Sequence, residues 1–199
     1  MTVYSQDDEE KHIVEYFGTG VGRFLDIGAY NGVSFSNTRR LAELGWAGVC
    51  VEPSHNPFDS LQQLYRGQSR IQCVNVAVST NPDGYVDLWE TDDAVSTTDP
   101  AHRDLWSKKA TFRQVKVANW HIDTFLQQHP GPYDFISIDT EGTSARLALC
   151  DARSWAIAIA KAQAICIEHD GRIAELDELF IRGGFKRKLL TPQNLLFAR

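Results

Sequence analysis

The stretch FLDIGAYNGVSFSNT, from Phe24 to Thr38, decides how the fold of this chain is interpreted. It begins as an apolar run, reaches one carboxylate at Asp26, and then turns through Gly28 and Gly32. A strand followed by a glycine turn and a helix is typical of nucleotide-binding α/β proteins, in which the turn presents backbone amides to the ligand. Because Tyr30 occupies the position of the middle glycine of a dinucleotide loop, the pattern favours a different nucleoside ligand.

Short apolar runs and amphipathic segments alternate through the rest of the chain. Runs that are apolar throughout indicate parallel strands covered on both faces, whereas alternating runs indicate antiparallel pairing. The patterns predict strands at residues 23–27, 47–52, 70–78, 84–90, 112–117, 133–139 and 164–168, and a closing hairpin of 185–190 with 194–199. They predict helices at residues 5–17, 34–44, 55–65, 120–128 and 172–182, with a further helix that begins at residue 144.

The order of these elements predicts an α/β fold. We expect a single doubly wound, Rossmann-like domain over residues 1–199. Its sheet should have about seven strands, mostly parallel, and should finish in a C-terminal antiparallel hairpin.

Composition and charge describe an ordinary globular chain. The 199 residues are 43% hydrophobic and 23% charged, with a net charge of −6. Since the one basic cluster is the run from Lys186 to Lys188, electrostatics do not suggest a nucleic-acid partner. No run approaches the roughly 18 apolar residues of a membrane span, and the four cysteines show no CxxC spacing. We therefore expect reduced thiols, a cytoplasmic location and no membrane partner, while homo-oligomerisation stays open.

Two segments have the character of covers over a site. Residues 91–110 are polar and rich in turn formers, and a connection of that length in a compact domain is typically functional. Residues 1–20 contain an acidic helix start, for which Ser5 is a candidate N-cap. We expect residues 91–110 to form a substrate lid and residues 1–20 an N-terminal helical flap, with Gln6 folded over the ligand.

Carboxylates end four of the five predicted parallel strands. They are Asp26, Glu52, Asp139 and Glu168. The carboxyl ends of parallel strands share one edge of the sheet, where doubly wound folds bind their ligands. Asp26, just before the first turn, repels a diphosphate but accepts hydrogen bonds from an ammonium group, so it favours S-adenosylmethionine over NAD. Glu52 is placed to bind the ribose hydroxyls of either cofactor.

In its motifs the chain resembles the FkbM-type S-adenosylmethionine-dependent methyltransferases over nearly its whole length. Each motif alone is weak evidence, but eight occur in the family's order, and the first glycine turn and the IDTEG block are the strongest. The motifs are YSQDDEEKHIVEYF, FLDIGAYNGVSFSNT, GWAGVCVEPS, VNVAVS, STTDPAH, DFISIDTEG, AICIEHD and GGFKRKLL…NLLFA. The resemblance implies a methyltransferase fold with S-adenosylmethionine as its cofactor.

The resemblance also implies roles for individual residues. The methionine part of the cofactor would lie among Asp26, Gly28, Tyr30 and Gly32, with the ribose on Glu52 and the adenine near Ala77. Asp139 would lie where cofactor and substrate meet. The chain departs from the family's pattern at Tyr30, which replaces a small or Asn-like residue, and after IDTEG, where TSARLALC replaces a more acidic continuation.

Methyl transfer to a hydroxyl needs help in removing the hydroxyl proton. Because the fourth and fifth parallel strands should be neighbours, Asp139, Glu168 and His169 are expected within one small site. One hypothesis is general-base catalysis by His169, oriented by Asp139 or Glu141. The alternative is a divalent ion, Mg²⁺, held by Asp139 and Glu168, which lowers the pKa of the acceptor hydroxyl.

The remaining candidates are aromatic and histidine side chains. Trp89, Trp106 and Phe112 flank the expected lid and are candidates to stack on a sugar ring, although core packing explains such residues equally well. His102 and His121 are interpreted as a loop residue and a helix start.

The expected function is S-adenosylmethionine-dependent methylation of a hydroxyl on a small-molecule or sugar-containing acceptor. One alternative is an NAD-dependent oxidoreductase, which would bind NADH but needs a third glycine that is absent here. The other is a non-catalytic cofactor-binding module, which would bind the cofactor without turnover.

Overall fold

The computed structural model describes residues 2–91 and 93–199, in which ten strands form two sheets. In chain order the strands are β1 (Arg23–Ile27), β2 (Ala47–Val51), β3 (Ile71–Val74), β4 (Ala77–Ser79), β5 (Gly84–Glu90), β6 (Arg113–His121), β7 (Phe135–Ile138), β8 (Ala164–Glu168), β9 (Lys186–Leu190) and β10 (Asn194–Ala198). Seven of them form a central sheet in the order β3-β2-β1-β7-β8-β10-β9. Pairing is parallel except at β10, which runs antiparallel to β8 and β9. The predicted fold class is confirmed.

Helices cover both faces of the central sheet. They are α1 (Glu9–Phe17), α2 (Arg39–Glu43), α3 (His55–Leu64), α4 (Pro100–Trp106), α5 (Ile122–Gln128), α6 (Ser144–Ala148), α7 (Arg153–Lys161) and α8 (Ile173–Arg182). Helices α1 to α3 share one apolar core with the sheet, and α5 to α8 share the other. In β1, Phe24 packs into the first core and Leu25 into the second, which explains why the strand is apolar at every step.

The third predicted strand is wrong in its extent, because residues 70–78 form two strands in different sheets. β3 ends at Val74, and Asn75 then donates hydrogen bonds from Nδ2 to the carbonyl oxygens of Glu52 and Pro53 at 2.8 and 3.1 Å. These bonds turn the chain out of the central sheet. β4 pairs in parallel with β6, and β6 pairs antiparallel with β5. The alternating runs at residues 84–90 and 112–117 predict this antiparallel pairing.

The helix predicted over residues 34–44 is also shorter, since α2 begins only at Arg39. Asn31 Oδ1 accepts hydrogen bonds from the two amides at residues 33 and 34, and Ser36 Oγ accepts those of Thr38 and Arg39. Side chains that bond the local backbone in this way compete with the helix. Residues 31–38 therefore remain a loop at the edge of the sheet.

Three other boundaries differ from the sequence patterns. β6 extends to His121, so α5 begins at Ile122 rather than at residue 120. The Nδ1 atom of His121 caps this helix, which agrees with the interpretation of His121 as a helix start. α1 begins at Glu9 rather than at residue 5, although Ser5 Oγ does accept a hydrogen bond from an amide in its first turn. α7 was not predicted.

The order of the central sheet reverses between β1 and β7. From β1 the chain proceeds outward to β2 and β3, and it returns to the other side of β1 as β7. The peptide NH of Asp139 donates to the carbonyl oxygen of Ile27 at 2.8 Å, so both strands end at the same level. Doubly wound sheets bind ligands beyond such a reversal.

The four cysteine thiols are free, as predicted, with Cys50 and Cys166 buried. Within the part of the chain that the structure describes, no helix has both the length and the apolar character needed to cross a bilayer.

Candidate active site

A cleft opens beyond the carboxyl ends of β1, β2 and β7, at the reversal of strand order. Its volume is about 990 Å³, including the mouth that is open to solvent. The loop after β1 forms one wall, β4 and β5 contribute a second, and the turn after β7 forms the floor. Of the sequence-predicted residues it is lined by Asp26, Gly28, Tyr30, Glu52, Ala77, Asp139, Glu141 and Gln6.

The two glycines of the first turn have different roles. Gly28 lines the cleft, whereas Gly32 does not. Gly28 has a φ of +89°, and a Cβ built on it would lie 1.5 Å from the carbonyl oxygen of Asp139. At Gly32 a Cβ would instead meet the side chains of Leu61 and Leu64 on α3. Gly28 therefore permits close packing at the strand ends, and Gly32 seats the loop on the helix behind it.

Backbone strain is concentrated around the cleft. Tyr30, Phe35 and Glu141 have positive φ values of 48°, 59° and 53°, and all three line the cleft. Residues with side chains rarely adopt this conformation unless the surrounding structure holds them there, and such strain clusters at functional sites. Tyr30 is held in part by its amide, which donates to Glu52 Oε2 at 2.9 Å.

Asp26 is buried at the end of β1 and is held by hydroxyl groups. Thr38 Oγ1 donates to its Oδ2 at 2.6 Å, which brings the end of the loop back onto the strand. Burial raises the pKa of Asp26 from 3.8 to about 6, against the opposing effect of its hydrogen bonds with Thr38 and Ser137. The loss of hydration thus outweighs the effect of the hydroxyl donors.

Glu52 accepts backbone amides on both of its oxygens. Tyr30 donates to Oε2, and Ser54 donates to Oε1 at 2.8 Å, so the carboxylate joins the loop after β1 to the turn after β2. Burial, with a smaller contribution from the charge of Asp26, raises its pKa from 4.5 to about 7, against the opposing effect of the hydrogen bonds from Ser54 and Tyr30. Each carboxylate oxygen retains a second lone pair that can accept a ligand hydroxyl.

The lining of the cleft is acidic. Asp26, Glu52, Asp139 and Glu141 line it, and no lysine or arginine does so among the residues that the structure describes. Such a lining attracts a cation and repels a diphosphate. It therefore fits the sulfonium and ammonium groups of S-adenosylmethionine, while Val76, Ala77 and Leu88 offer an apolar wall for a base.

Carboxyl groups and one imidazole lie together at the ends of β7 and β8. They belong to Asp139, Glu141, Glu168, Asp170 and His102. Asp139 and Glu168 are half-buried, and their pKa values lie well above the usual range because their carboxyl groups are desolvated and each lies near other carboxylates. Glu168 Oε2 accepts hydrogen bonds from the Gly142 amide at 3.3 Å and from Ser144 Oγ at 2.8 Å. Oδ1 of Asp139 is buried and has no hydrogen-bond partner. The structure thus places Asp139, Glu141 and Glu168 together, whereas the sequence predicted a site of Asp139, Glu168 and His169.

The histidine at this cluster is His102, whereas His169 is not among the residues that line the cleft. His169 Nδ1 accepts the Gly171 amide at 3.0 Å within its own turn. His102 was interpreted as a loop residue, but it lies on α4, and its Nε2 is 2.9 Å from Glu141 Oε2. A Cβ on Gly142 would stand 2.8 Å from the Cβ of His102, so the glycine of IDTEG makes room for this contact.

A polar groove continues outward from the cleft. It has a volume of about 930 Å³ with its open mouth, and it shares Val78, Ser79, Thr98 and Thr143 with the cleft. Tyr85 and Trp89 offer aromatic faces in the groove, alongside Asp87, Lys116 and other polar side chains. Of the other aromatic candidates, Phe112 lines a separate depression, and Trp106 packs near His102 with ring centroids 6.3 Å apart.

Similar solved structures are methyltransferases. The FkbM methyltransferase of Methylobacillus flagellatus is 18% identical, with a TM-score of 0.57 over 90% of this chain, which spans 44% of that protein's length. A candidate RNA methyltransferase from Pyrococcus horikoshii is 12% identical, with a TM-score of 0.52 over 96% of this chain and 80% of that one. A candidate tRNA (m1A22) methyltransferase from Streptococcus pneumoniae is 13% identical, with a TM-score of 0.50 over 98% of this chain and 70% of that one. At these identities the likeness concerns the fold alone.

The sequence itself matches a family. No curated protein is significantly similar to the chain. The family model of the methyltransferase FkbM domain matches residues 26–180, from the first strand-end carboxylate to the last helix. The chain therefore belongs to the FkbM methyltransferase family.

Proposed function

We propose that this methyltransferase uses S-adenosylmethionine to methylate a hydroxyl of a small-molecule or carbohydrate acceptor. The observation that carries the proposal is the charge of the cleft, which has four lining carboxylates and no lysine or arginine among the described residues. Asp26 would bind the ammonium end of the cofactor, and Glu52 the ribose hydroxyls. NAD, with two phosphates, is disfavoured by the same charges.

The residues of the cleft suggest how transfer is assisted. When bound, S-adenosylmethionine supplies an activated methyl carbon with a neutral thioether as leaving group. Orienting the acceptor oxygen toward that carbon accounts for much of the acceleration in such reactions. Asp139 is the residue we assign to hold the acceptor hydroxyl and take its proton, because it lines the cleft and its Oδ1 has no hydrogen-bond partner. Glu141 lines the cleft beside it.

The acceptor assignment is supported by the groove. A hydroxyl-rich ring is recognised by aromatic faces together with polar side chains, and Trp89, Tyr85 and Asp87 provide that combination. We further propose that residues 91–110 act as a substrate lid and residues 1–20 as a flap within one methyltransferase domain. Ala94, Ser96 and Thr98 of the lid and Gln6 of the flap line the cleft. Met1 and Asp92 lie outside the described residues.

Calorimetry tests the cofactor. We expect S-adenosylmethionine and S-adenosylhomocysteine to bind at pH 8 and NADH not to bind. Glu52→Gln should weaken binding about ten- to hundredfold, because a hydrogen bond to a charged group contributes about 1.5–3 kcal/mol. Glu178→Gln, on an exposed residue of α8 that pairs with Arg182, is the matched control and should bind as the wild type does. NADH binding in competition with S-adenosylmethionine would overturn the assignment.

A transfer assay tests the reaction. S-adenosylhomocysteine release should be stimulated by sugar or phenol hydroxyls and not by amines or RNA. Asp139→Asn should lose about 10²–10⁴ in rate while retaining cofactor affinity. His169→Ala tests the other predicted base, and its loss of rate should be the smaller of the two. Preference for a nitrogen acceptor would sink the hydroxyl proposal while leaving the cofactor assignment intact.

A further inference from the structure

One histidine and two glutamates from three different elements converge at the edge of the cleft. His102 lies on α4, Glu141 follows β7, and Glu168 ends β8. One ligand-type atom from each of the three lies within 4.8 Å of the other two. The segments that carry them are distant in sequence, so the fold has brought them together.

The contact between His102 and Glu141 has a spacing that suits two ligands of one ion. Nε2 of His102 is buried and lies 2.9 Å from Oε2 of Glu141. Two donor atoms that bind one cation at right angles with bonds of about 2.1 Å lie about 3 Å apart. Both atoms can therefore bind the same ion with little movement of either side chain.

Two further carboxyl groups adjoin the cluster. Asp139 and Asp170 each add a carboxyl group whose Oδ1 is buried and unpartnered. Within residues 2–91 and 93–199, no lysine or arginine forms an ion pair with either of them or with Glu141 or Glu168. A dication in the cluster would stabilise the ionised forms of these carboxyl groups.

His55 provides a contrast within the same chain. Its Nδ1 lies 2.8 Å from Glu90 Oε1 and is hydrogen-bonded to it. Arg113 donates to the other oxygen of Glu90 at 2.7 Å and supplies the balancing charge. Among the described residues, this second histidine–carboxylate pair has no third metal-ligating side chain beside it.

We propose that His102, Glu141 and Glu168 bind a divalent transition-metal ion that fastens α4 to the ends of β7 and β8. An imidazole with two carboxylates suits Zn²⁺ or Mn²⁺, whereas Mg²⁺ favours oxygen ligands and its own water. Hydrogen bonds from neighbouring residues hold two of the ligand residues in place. Thr97 Oγ1 donates to the backbone carbonyl oxygen of Glu141 at 2.6 Å, and Ser144 Oγ donates to the Glu168 carboxylate. Asp139, the other metal ligand expected from the sequence, lies outside the three-residue group. The site goes beyond the proposed function, because it does not depend on the methyl donor.

Titration of chelator-treated protein with ZnCl₂, MnCl₂ and MgCl₂, without cofactor, tests the site. We expect one Zn²⁺ or Mn²⁺ per chain, bound at least about tenfold more tightly than Mg²⁺. His102→Gln should weaken that binding by at least about tenfold, and His55→Gln should leave it unchanged. Anomalous scattering from a Zn²⁺ crystal should place the ion between the three side chains.

Thermal unfolding with and without metal distinguishes loss of the metal site from a folding defect of the variant. The metal should raise the Tm of the wild type and of His55→Gln but not of His102→Gln, while all three have similar Tm values in EDTA. If His102→Gln does not fold, Glu141→Gln takes its place with the same expectation. The proposal is overturned if the wild type binds no stoichiometric ion, if Mg²⁺ binds as tightly, or if both substitutions leave binding unchanged. Cofactor titration in EDTA separates such a failure from a failure of the proposed function.

Discussion

Gly28 is the residue at which the geometry of the cleft is decided. It ends β1 next to the point where Asp139 ends β7, and the space that a side chain would need is filled by the Asp139 carbonyl. The neighbouring atoms are backbone, so they cannot move aside as a flexible side chain would. Any larger residue at position 28 must separate the two central strands or distort the loop.

Replacement of Gly28 should therefore be far more costly than replacement of another left-handed glycine. Gly67 has a φ of +79° with open space around its Cβ position, so Gly67→Ala should cost only the backbone penalty of about 1–2 kcal/mol. Gly28→Ala should lose more than 3 kcal/mol, as overpacking adds to that penalty, and should abolish cofactor binding. Urea denaturation of both variants measures the difference. Equal costs would show that the strand ends can adapt.

Asp26 and Glu52 make the stability of the protein depend on pH. Their pKa values of about 6 and about 7 lie above the ordinary values of 3.8 and 4.5. Between these values the folded chain binds more protons than the unfolded chain, so stability falls as pH rises from about 4 to about 7. Each group contributes a change of order 3 kcal/mol.

We accordingly expect the cofactor-free protein to be more stable at pH 5 than at pH 8, and Glu52→Gln to reduce that difference. Bound cofactor should act in the opposite direction, because its ammonium and hydroxyl groups stabilise the ionised carboxylates. The affinity for S-adenosylmethionine should thus rise between pH 5 and pH 8, with proton release. Urea melts and calorimetry in two buffers measure both effects. An unchanged pH slope in Glu52→Gln would contradict the expectation.

At the scale of elements, the segment from β5 to β6 is tied to the sheet by a few polar contacts. Thr97 Oγ1 donates to the carbonyl oxygen of Glu141 and accepts the amide of Asp99. The Asp99 side chain in turn caps α4, on which no residue is fully buried. An element with so little apolar burial is expected to open before the sheet does.

Thr97→Val keeps the volume of the side chain and removes both hydrogen bonds. We expect faster hydrogen exchange in residues 93–110 by about five- to thirtyfold, corresponding to about 1–2 kcal/mol, with little effect on the central strands. Ser107→Ala, which removes a hydrogen bond internal to α4, should not change exchange beyond its own turn. Exchange that rises equally across the whole chain in Thr97→Val would instead indicate global destabilisation.

At the scale of the whole molecule, each face of the central sheet has one large buried tryptophan. Trp46 belongs to the core under α1 to α3, and Trp155 to the core under α5 to α8. Trp46 Nε1 donates to the Gly20 carbonyl oxygen at 2.9 Å, whereas Trp155 Nε1 is buried and unpartnered. The two cores thus differ in whether the indole NH of their tryptophan has a hydrogen-bond partner.

This difference predicts unequal effects of the same substitution. Both Trp→Phe changes leave a cavity, but only Trp46→Phe also leaves a carbonyl without its partner. Trp46→Phe should therefore be more destabilising than Trp155→Phe by about 1 kcal/mol. Denaturant titration with an unchanged m-value measures it, and a larger loss in Trp155→Phe would contradict the reasoning.

The sequence predicts what depends on local pattern and misses what depends on distant contacts. Unbroken apolar runs and strand-end carboxylates were sufficient for the parallel sheet and for the positions of Asp26 and Glu52. The break after β3 was not predictable, because the partners of Asn75 are carbonyl groups on the neighbouring strand's turn. His102 was missed for a similar reason, since the residues that it contacts, Glu141 and Gly142, lie far along the chain in the turn after β7.

The residues assigned to the cofactor and those of the outer groove lie mostly on different sheets, and the smaller of these sheets consists of β4, β5 and β6. Seven strands carry the residues assigned to the cofactor, with the exception of Ala77, while this smaller sheet and the segment after β5 build most of the outer groove. On the proposed role of the groove, substitutions between residues 79 and 117 should therefore alter which acceptor is admitted without shifting the register of the central strands. Diversification of acceptor choice among related chains should accordingly be concentrated in this stretch, with the methyl-donor half changing slowly.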